Sequence, residues 1–191
     1  PAIQKDINKY IEITKHTEIN AFVIDMKDDF GNIYFQSSGK IASEIKAQKK
    51  PVNVLQILKK LKENKIYSIA RVVVFKDQKL WNAYNGKYSI KNKNSGLPWK
   101  GAEGEFWVDP YSEFVHNYNI ELAKDLEKIG FDEIQFDYIR FPADGPIHLC
   151  IFSYKKDEET YKSEILIDFL RRAKLSLNIP VSIDIYGFNS W

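Results

Sequence analysis

Hydrophobic and polar residues follow two alternating patterns along the chain. Apolar residues at intervals of three and four predict amphipathic helices over residues 2–17, 52–63, 110–129 and 159–177. Short continuous apolar runs, typical of strands buried on both faces, separate these helices at 19–26, 65–75, 133–138 and 179–188. The pattern therefore predicts four helices and four strands in strict alternation.

The order of these elements indicates an α/β fold. Alternating helices and strands form parallel sheets with right-handed crossovers, which allows either an open doubly wound sheet or a (β/α)8 TIM barrel. No glycine-rich phosphate loop follows any strand, which argues against a nucleotide-binding fold. A closed barrel needs about 250 residues and eight strands. We therefore predict one domain over residues 1–191 that is an incomplete portion of a TIM barrel, without its first strand and last third, and keep the open sheet as the alternative.

One long segment, residues 76–108, has little periodicity and contains Trp81, Trp99 and Trp107. It ends at Asp109-Pro110, where Asp is predicted to cap the next helix and Pro to occupy its first turn. Loops of this length inside a domain are commonly functional, and indole rings can stack on sugar faces. The alternative is that the tryptophans only fold the loop onto the top of the barrel.

Composition and charge narrow the possible partners. The chain is 44% hydrophobic and 28% charged with a net charge of +2, which is ordinary for a globular protein and too weakly basic to indicate nucleic acid. No apolar run approaches the roughly 20 residues of a membrane span, and no signal peptide is visible. The lone Cys150 allows neither an internal disulfide nor a thiolate metal cluster. We predict no cofactor and no metal, and the oligomeric state stays open.

The four predicted strands end in charged residues, at Asp25, Lys76, Asp137 and Asp184. Parallel α/β folds build their sites at this edge of the sheet. Since side chains alternate along a strand, Asp137 and Asp184 would both point into a barrel from the tops of neighbouring strands.

Two carboxylates on one rim are what glycoside hydrolysis requires. One protonates the leaving oxygen, and the other attacks the anomeric carbon or activates water. We therefore expect Asp137 and Asp184 to be catalytic. The open alternative is that these acids pair with Arg71, Arg140 or Lys76 and merely close the rim.

Five segments of the chain carry a family resemblance. The strings NAFVIDMKDDFGNIYF, ARVVVFKD, FWVDPYSEFVHNYNIELAKDL, GFDEIQFDYIRFPADG and VSIDIYGF resemble the bacterial glycoside hydrolase-like family known as domain of unknown function 4015. The resemblance extends from about Ile19 to Gly187, and FDEIQFDYIRFP is its most specific part. It implies a carbohydrate-active TIM barrel similar to the α-amylase type, with Asp137 as the main catalytic residue and Asp184 as acid/base or substrate ligand.

The expected function is hydrolysis of a polysaccharide or cell-envelope glycan, outside the cell or in the cell envelope. Two alternatives are a non-catalytic carbohydrate-binding barrel and another α/β hydrolase such as a deacetylase, which a metal at the rim acids would favour. The residues expected to contact sugar hydroxyls or rings are Asp25, Lys27, Lys76, Asp77, Trp107 and Arg140.

Overall fold

The computed structural model describes residues 2–185, and the predicted alternation of helices and strands is present in it. Short additional elements occur within the loops, together with 3-10 turns at Ala83–Gly86 and Ile147–Leu149. In chain order the helices and strands are α1 (Ala2–Thr14), β1 (Ala21–Lys27), α2 (Lys40–Glu44), α3 (Val54–Glu63), β2 (Tyr67–Val73), α4 (Gln78–Asn82), β3 (Lys91–Asn92), α5 (Glu113–Ile129), β4 (Glu133–Asp137), β5 (Cys150–Ile151), α6 (Lys162–Ser176) and β6 (Val181–Ile183).

The four main strands form one parallel sheet in the order β1-β2-β4-β6. Each strand is hydrogen-bonded in register to its neighbour, so all four carboxyl ends lie along the same edge. Four parallel strands joined by helices are half of the eight in a closed (β/α)8 barrel. The described residues thus form part of a parallel α/β barrel, as predicted.

The two faces of this sheet differ in what covers them. One face carries apolar residues that are at most 4% exposed and pack against the helices: Ile24, Met26, Ala70, Val72, Ile134 and Phe136. The other face, called the open face below, carries Val23, Asp25, Arg71, Asp137 and Asp184, which are exposed or half-buried. In a closed barrel this face would line the interior, so it is the side on which a site can form.

The packing behind β4 is aromatic. Phe169 of α6 is fully buried, and its ring lies 5.2 Å from that of Phe136 and 5.8 Å from that of Phe75. Helix α5 ends at Gly130, whose φ of 110° is the left-handed conformation that glycine adopts readily. These contacts fix the strand that ends in Asp137.

The structure corrects the predicted start of one helix, and the predicted end of the last strand lies outside the described residues. Helix α5 begins at Glu113 rather than at Asp109-Pro110, because the Asp109 carboxylate accepts a hydrogen bond from the Tyr111 amide at 3.0 Å and forms a separate turn. The last strand is described only as Val181–Ile183, and residues 186–188 of the predicted strand lie outside the described residues.

The long segment after β2 is folded rather than extended. It contains α4 and β3, and β3 pairs in an antiparallel manner with β5 from the loop after β4. Trp99 is 1% exposed, and its carbonyl accepts a hydrogen bond from the Trp81 indole at 3.0 Å. Within residues 2–185, no helix combines the length and apolar character needed to cross a bilayer.

Candidate active site

Four charged side chains meet on the open face where the strands end. The pairing register places Asp25 beside Arg71 and Val73 beside Asp137. The Asp184 amide donates to the Phe136 carbonyl at 3.1 Å, which continues the β4–β6 ladder. The structure therefore brings Asp137 and Asp184 to adjacent positions on neighbouring strands, and brings Asp25 to the same face.

Arg71 links two of these carboxylates. Its Nη1 donates to Asp25 Oδ1 at 2.7 Å, while Nε donates to Asp137 Oδ2 at 2.8 Å and Nη2 contacts the same oxygen. Burial by itself lowers the pKa of Arg71, but the hydrogen bonds to Asp25 and Asp137 outweigh it, so the pKa lies above its ordinary value. A guanidinium that contacts two carboxylates in this way fixes their relative positions on the rim.

Asp184 has a different environment. Burial raises its pKa, the negative charge of Asp137 raises it further, and Arg71 acts in the opposite direction. Its Oδ1 accepts a hydrogen bond from the Gln135 amide at 3.0 Å. Two neighbouring carboxylates, one bonded to a cation and one with a raised pKa, are the arrangement expected of a base or nucleophile next to an acid.

Tyr138 directly follows Asp137 and has a strained backbone. Its φ of 54° is left-handed, a conformation that costs a non-glycine residue roughly 1–2 kcal/mol. Its amide donates to Asp137 Oδ1 at 2.6 Å. Strain of this kind occurs preferentially at functional sites.

The structure contradicts the prediction that Lys27 and Asp77 contact substrate. Both side chains are 0% exposed, and Lys27 Nζ lies 2.8 Å from Asp77 Oδ2, an ion pair rather than an aligned hydrogen bond. Lys27 also donates to the Val73 carbonyl at 2.7 Å and to Asn119 Oδ1 at 3.0 Å. The cause is a bulge between Asp25 and Lys27, which turns Lys27 to the helix-covered side of the sheet.

The prediction is also wrong for Trp107, which is 0% exposed and offers no ring face to a sugar. The Arg140 guanidinium lies 4.9 Å from the centre of its ring. Trp107 therefore supports the rim from below, in line with the alternative that the tryptophans fold the loop.

Three other predicted substrate contacts stay near the surface of the rim. The Asp25 side chain is 60% exposed, and that of Lys76 is 16% exposed and lies 3.3 Å from Asp29 Oδ2. Arg140 is half-buried. These three remain available as candidates for contact with a ligand.

The acids on the rim do not form a metal-ligand set. Within residues 2–185, no three His, Cys, Asp or Glu side chains are grouped as ligands for a metal ion. Between Asp25 and Asp137 the position is taken by the Arg71 guanidinium. The donor set thus gives no support to the metal-dependent hydrolase considered above.

Two residues of this site were not predicted as site residues. Arg71 was predicted only as a partner that neutralises the acids. Because side chains alternate along a strand, its place two residues before Val73, which pairs with Asp137, puts it on the same face as Asp137. Tyr138 could not have been found from the pattern, because nothing in its residue type indicates a left-handed backbone.

Several solved glycoside hydrolases share this fold. The α-galactosidase from Lactobacillus brevis (13% identity, TM-score 0.56, 94% of this chain and 25% of that chain) and the trehalose-6-phosphate hydrolase of Bacillus licheniformis (13%, 0.56, 98% and 41%) are two of them. The glycoside hydrolase domain of PelA from Pseudomonas aeruginosa is a third (10%, 0.51, 87% and 59%). The chain spans only part of each of these proteins, and at such identities the likeness shows the barrel fold alone.

The chain belongs to the family DUF4015, described as "Putative glycosyl hydrolase domain", whose model matches residues 2–191. It is also similar to a hypothetical protein from Ruminiclostridium thermocellum ATCC 27405, at 36% identity and a TM-score of 0.85 over 96% of this chain and 92% of that chain. No curated protein is similar enough in sequence to count as a match. The resemblance inferred from the sequence is therefore confirmed.

Proposed function

We propose that this chain carries the catalytic carboxylates of a glycoside hydrolase that cleaves a polysaccharide or a cell-envelope glycan. The observation that carries the proposal is the pair Asp137 and Asp184, adjacent on the open face at the carboxyl ends of β4 and β6. Membership of a glycosyl hydrolase family supports the same reading.

The two acids would have different catalytic roles because their surroundings differ. Asp137, bonded to Arg71, is the carboxylate that attacks the anomeric carbon or removes a proton from the attacking water. Asp184, whose pKa burial and Asp137 raise, gives its proton to the leaving oxygen as the glycosidic bond breaks. If Asp137 attacks directly, a covalent glycosyl ester forms, and water releases it while Asp184 takes a proton from that water.

Sugar hydroxyls would be held by the rim residues that remain accessible. The Asp25 side chain is largely exposed beside its contact with Arg71, and Lys76 and Arg140 provide donors on the side of the loops after β2 and β4. An extracellular or envelope location would follow from a substrate of this kind.

The contacts of Arg71 also favour a second candidate. Since Arg71 satisfies both Asp25 and Asp137, the rim could bind carbohydrate without cleaving it. In that case sugars would bind with no turnover, and the substitution of Asp137 would change affinity alone.

A glycan screen separates these functions. The whole polypeptide that contains this chain is incubated with a panel of bacterial and plant glycans, and released reducing ends are measured. The proposal predicts turnover of at least one glycan by the wild type and by the control Asp144→Asn, which alters an exposed loop acid, and none by Asp137→Asn/Asp184→Asn. Equal turnover by the double variant would refute it.

A further inference from the structure

We infer that Tyr138 is a positioning residue, whose left-handed backbone and anchored ring hold the Asp137 carboxylate in one orientation. The inference rests on the proposed function only where activity is its readout. Its basis is the geometry around the two oxygens of Asp137.

The two oxygens of Asp137 have different donors. Arg71 donates to Oδ2, and the Tyr138 amide donates to Oδ1 at 2.6 Å. The peptide orientation that points this amide at Asp137 is also the one that leaves Tyr138 left-handed, with φ at 54°, since rotation of the 137–138 peptide plane changes both. With a donor on each oxygen, rotation of the carboxylate about its Cβ–Cγ bond breaks a hydrogen bond in either direction.

The ring of Tyr138 explains why this strained backbone does not relax. Lys76 Nζ lies 5.0 Å and the Arg140 guanidinium 5.5 Å from the ring centre, and the Trp107 ring meets it edge-on at 6.0 Å. Lys76 is itself fixed by Asp29 in the loop after β1. The loops after β2 and β4 thus hold this ring, and the loop after β1 fixes one of its contacts, so with Asp137 held in β4 a change of φ at Tyr138 would pull the ring out of its contacts.

Through these contacts Tyr138 would affect catalysis indirectly, by holding Asp137 in place. Its amide and ring order the acid before a sugar arrives, so the carboxylate does not have to be reoriented when the sugar binds. The loss of this order should reduce the rate of the chemical step more than it reduces substrate binding.

Two variants of Tyr138 separate the ring from the hydroxyl. Tyr138→Phe keeps the ring and its contacts, and we expect its kcat to stay within about threefold of the wild type. Tyr138→Ala removes the ring and keeps a side chain that disfavours the left-handed region, so the backbone should relax and kcat should fall about 10–100-fold with little change in KM.

The matched control is Tyr84→Ala. Tyr84 is a second left-handed tyrosine, with φ at 51°, and it contacts Glu44, Tyr88 and Phe114 rather than the rim acids. Its substitution should leave kcat and KM unchanged. A Tyr138→Ala enzyme with wild-type kcat would overturn the inference, as would a Tyr138→Phe enzyme as slow as Tyr138→Ala.

Crystal structures of the same variants test the inference without activity. We expect the Asp137 carboxylate to keep its orientation in Tyr138→Phe and to rotate away from the amide of residue 138 in Tyr138→Ala. An unmoved carboxylate in Tyr138→Ala would refute the positioning role. If the wild type cleaves no glycan, the proposed function fails, and the orientation of Asp137 still decides this inference.

Discussion

Replacement of Lys27 by Met tests the assignment of this lysine to the core. Lys27 joins three parts of the structure, because its ammonium contacts Asp77, the Val73 carbonyl and Asn119 in a fully buried position. Methionine is of similar length and has no charge. The variant therefore removes the cation and leaves the Asp77 carboxylate buried without a counter-charge.

The size of the effect follows from what remains unpaired. Removal of one member of a buried ion pair typically costs 3–5 kcal/mol, about 6–20 °C in melting temperature for a domain of this size. Asp77→Asn should cost less, because Lys27 keeps two neutral acceptors and Asn can still cap α4, as Asp77 does by accepting the Leu80 amide at 2.8 Å. The double variant should be more stable than the sum of the single losses predicts, by roughly 0.5–3 kcal/mol.

Urea unfolding followed by circular dichroism measures all three variants. Lys59→Met is the matched control, since Lys59 forms an exposed pair with Glu63 at 4.0 Å and its loss should cost at most about 0.5 kcal/mol. Additive effects in the double variant, or a Lys27→Met protein as stable as Lys59→Met, would refute the buried pair. Lys27 and Asp77 would then become substrate contacts again.

Three further predictions concern the proton donor, a buried acid and a crowded glycine. Asp184→Asn should slow the hydrolysis of aryl glycosides with poor leaving groups about 10²–10⁴-fold. Aryl glycosides with good leaving groups should be slowed much less, because a good leaving group departs without a proton. An equal loss for both kinds of substrate would contradict the acid role. Burial raises the pKa of Asp109 to about 6 from the ordinary 3.8. As the pH rises, Asp109 therefore loses its proton in the unfolded chain before it does so in the folded protein, and the free energy of unfolding falls between about pH 4 and pH 6. Asp109→Asn should remove about 2–3 kcal/mol of that decline in unfolding free energy, and parallel stability–pH curves would argue against it. Gly31→Ala should lower the free energy of unfolding by about 2–4 kcal/mol, since a Cβ there would lie 1.9 Å from Asp77 Oδ1. The control Gly104→Ala should lower it by only about 1–2 kcal/mol, because Gly104 has a φ of 83° but no neighbour within 4 Å of an added Cβ. Equal melting temperatures for the two variants would exclude the clash.

The sheet and its rim acids were predictable because each depends on a simple period. A parallel strand of a barrel, buried on both faces, reads as a continuous apolar run, and the residue that ends it lies at the carboxyl edge. Asp137 and Asp184 were found in this way, and the structure places them side by side.

The buried polar residues were not predictable by the same rule. Strict alternation puts Lys27 on the face of Asp25, and only the bulge between them turns it toward α5. The helix start after Asp109 was misjudged because an Asp can cap a helix or close a separate turn, and the choice depends on tertiary contacts. Trp107 shows the same limit, since an indole serves equally well as a sugar platform or as core.

The most direct test of the proposed chemistry is the kcat of Asp137→Asn on the best glycan substrate of the wild type, measured with the binding constant for that glycan. Asn keeps the size of the side chain and removes its charge. We predict a fall in kcat of at least about 10³-fold, with unchanged circular dichroism and retained binding. A folded Asp137→Asn protein that cleaves the glycan at the wild-type rate would contradict the account.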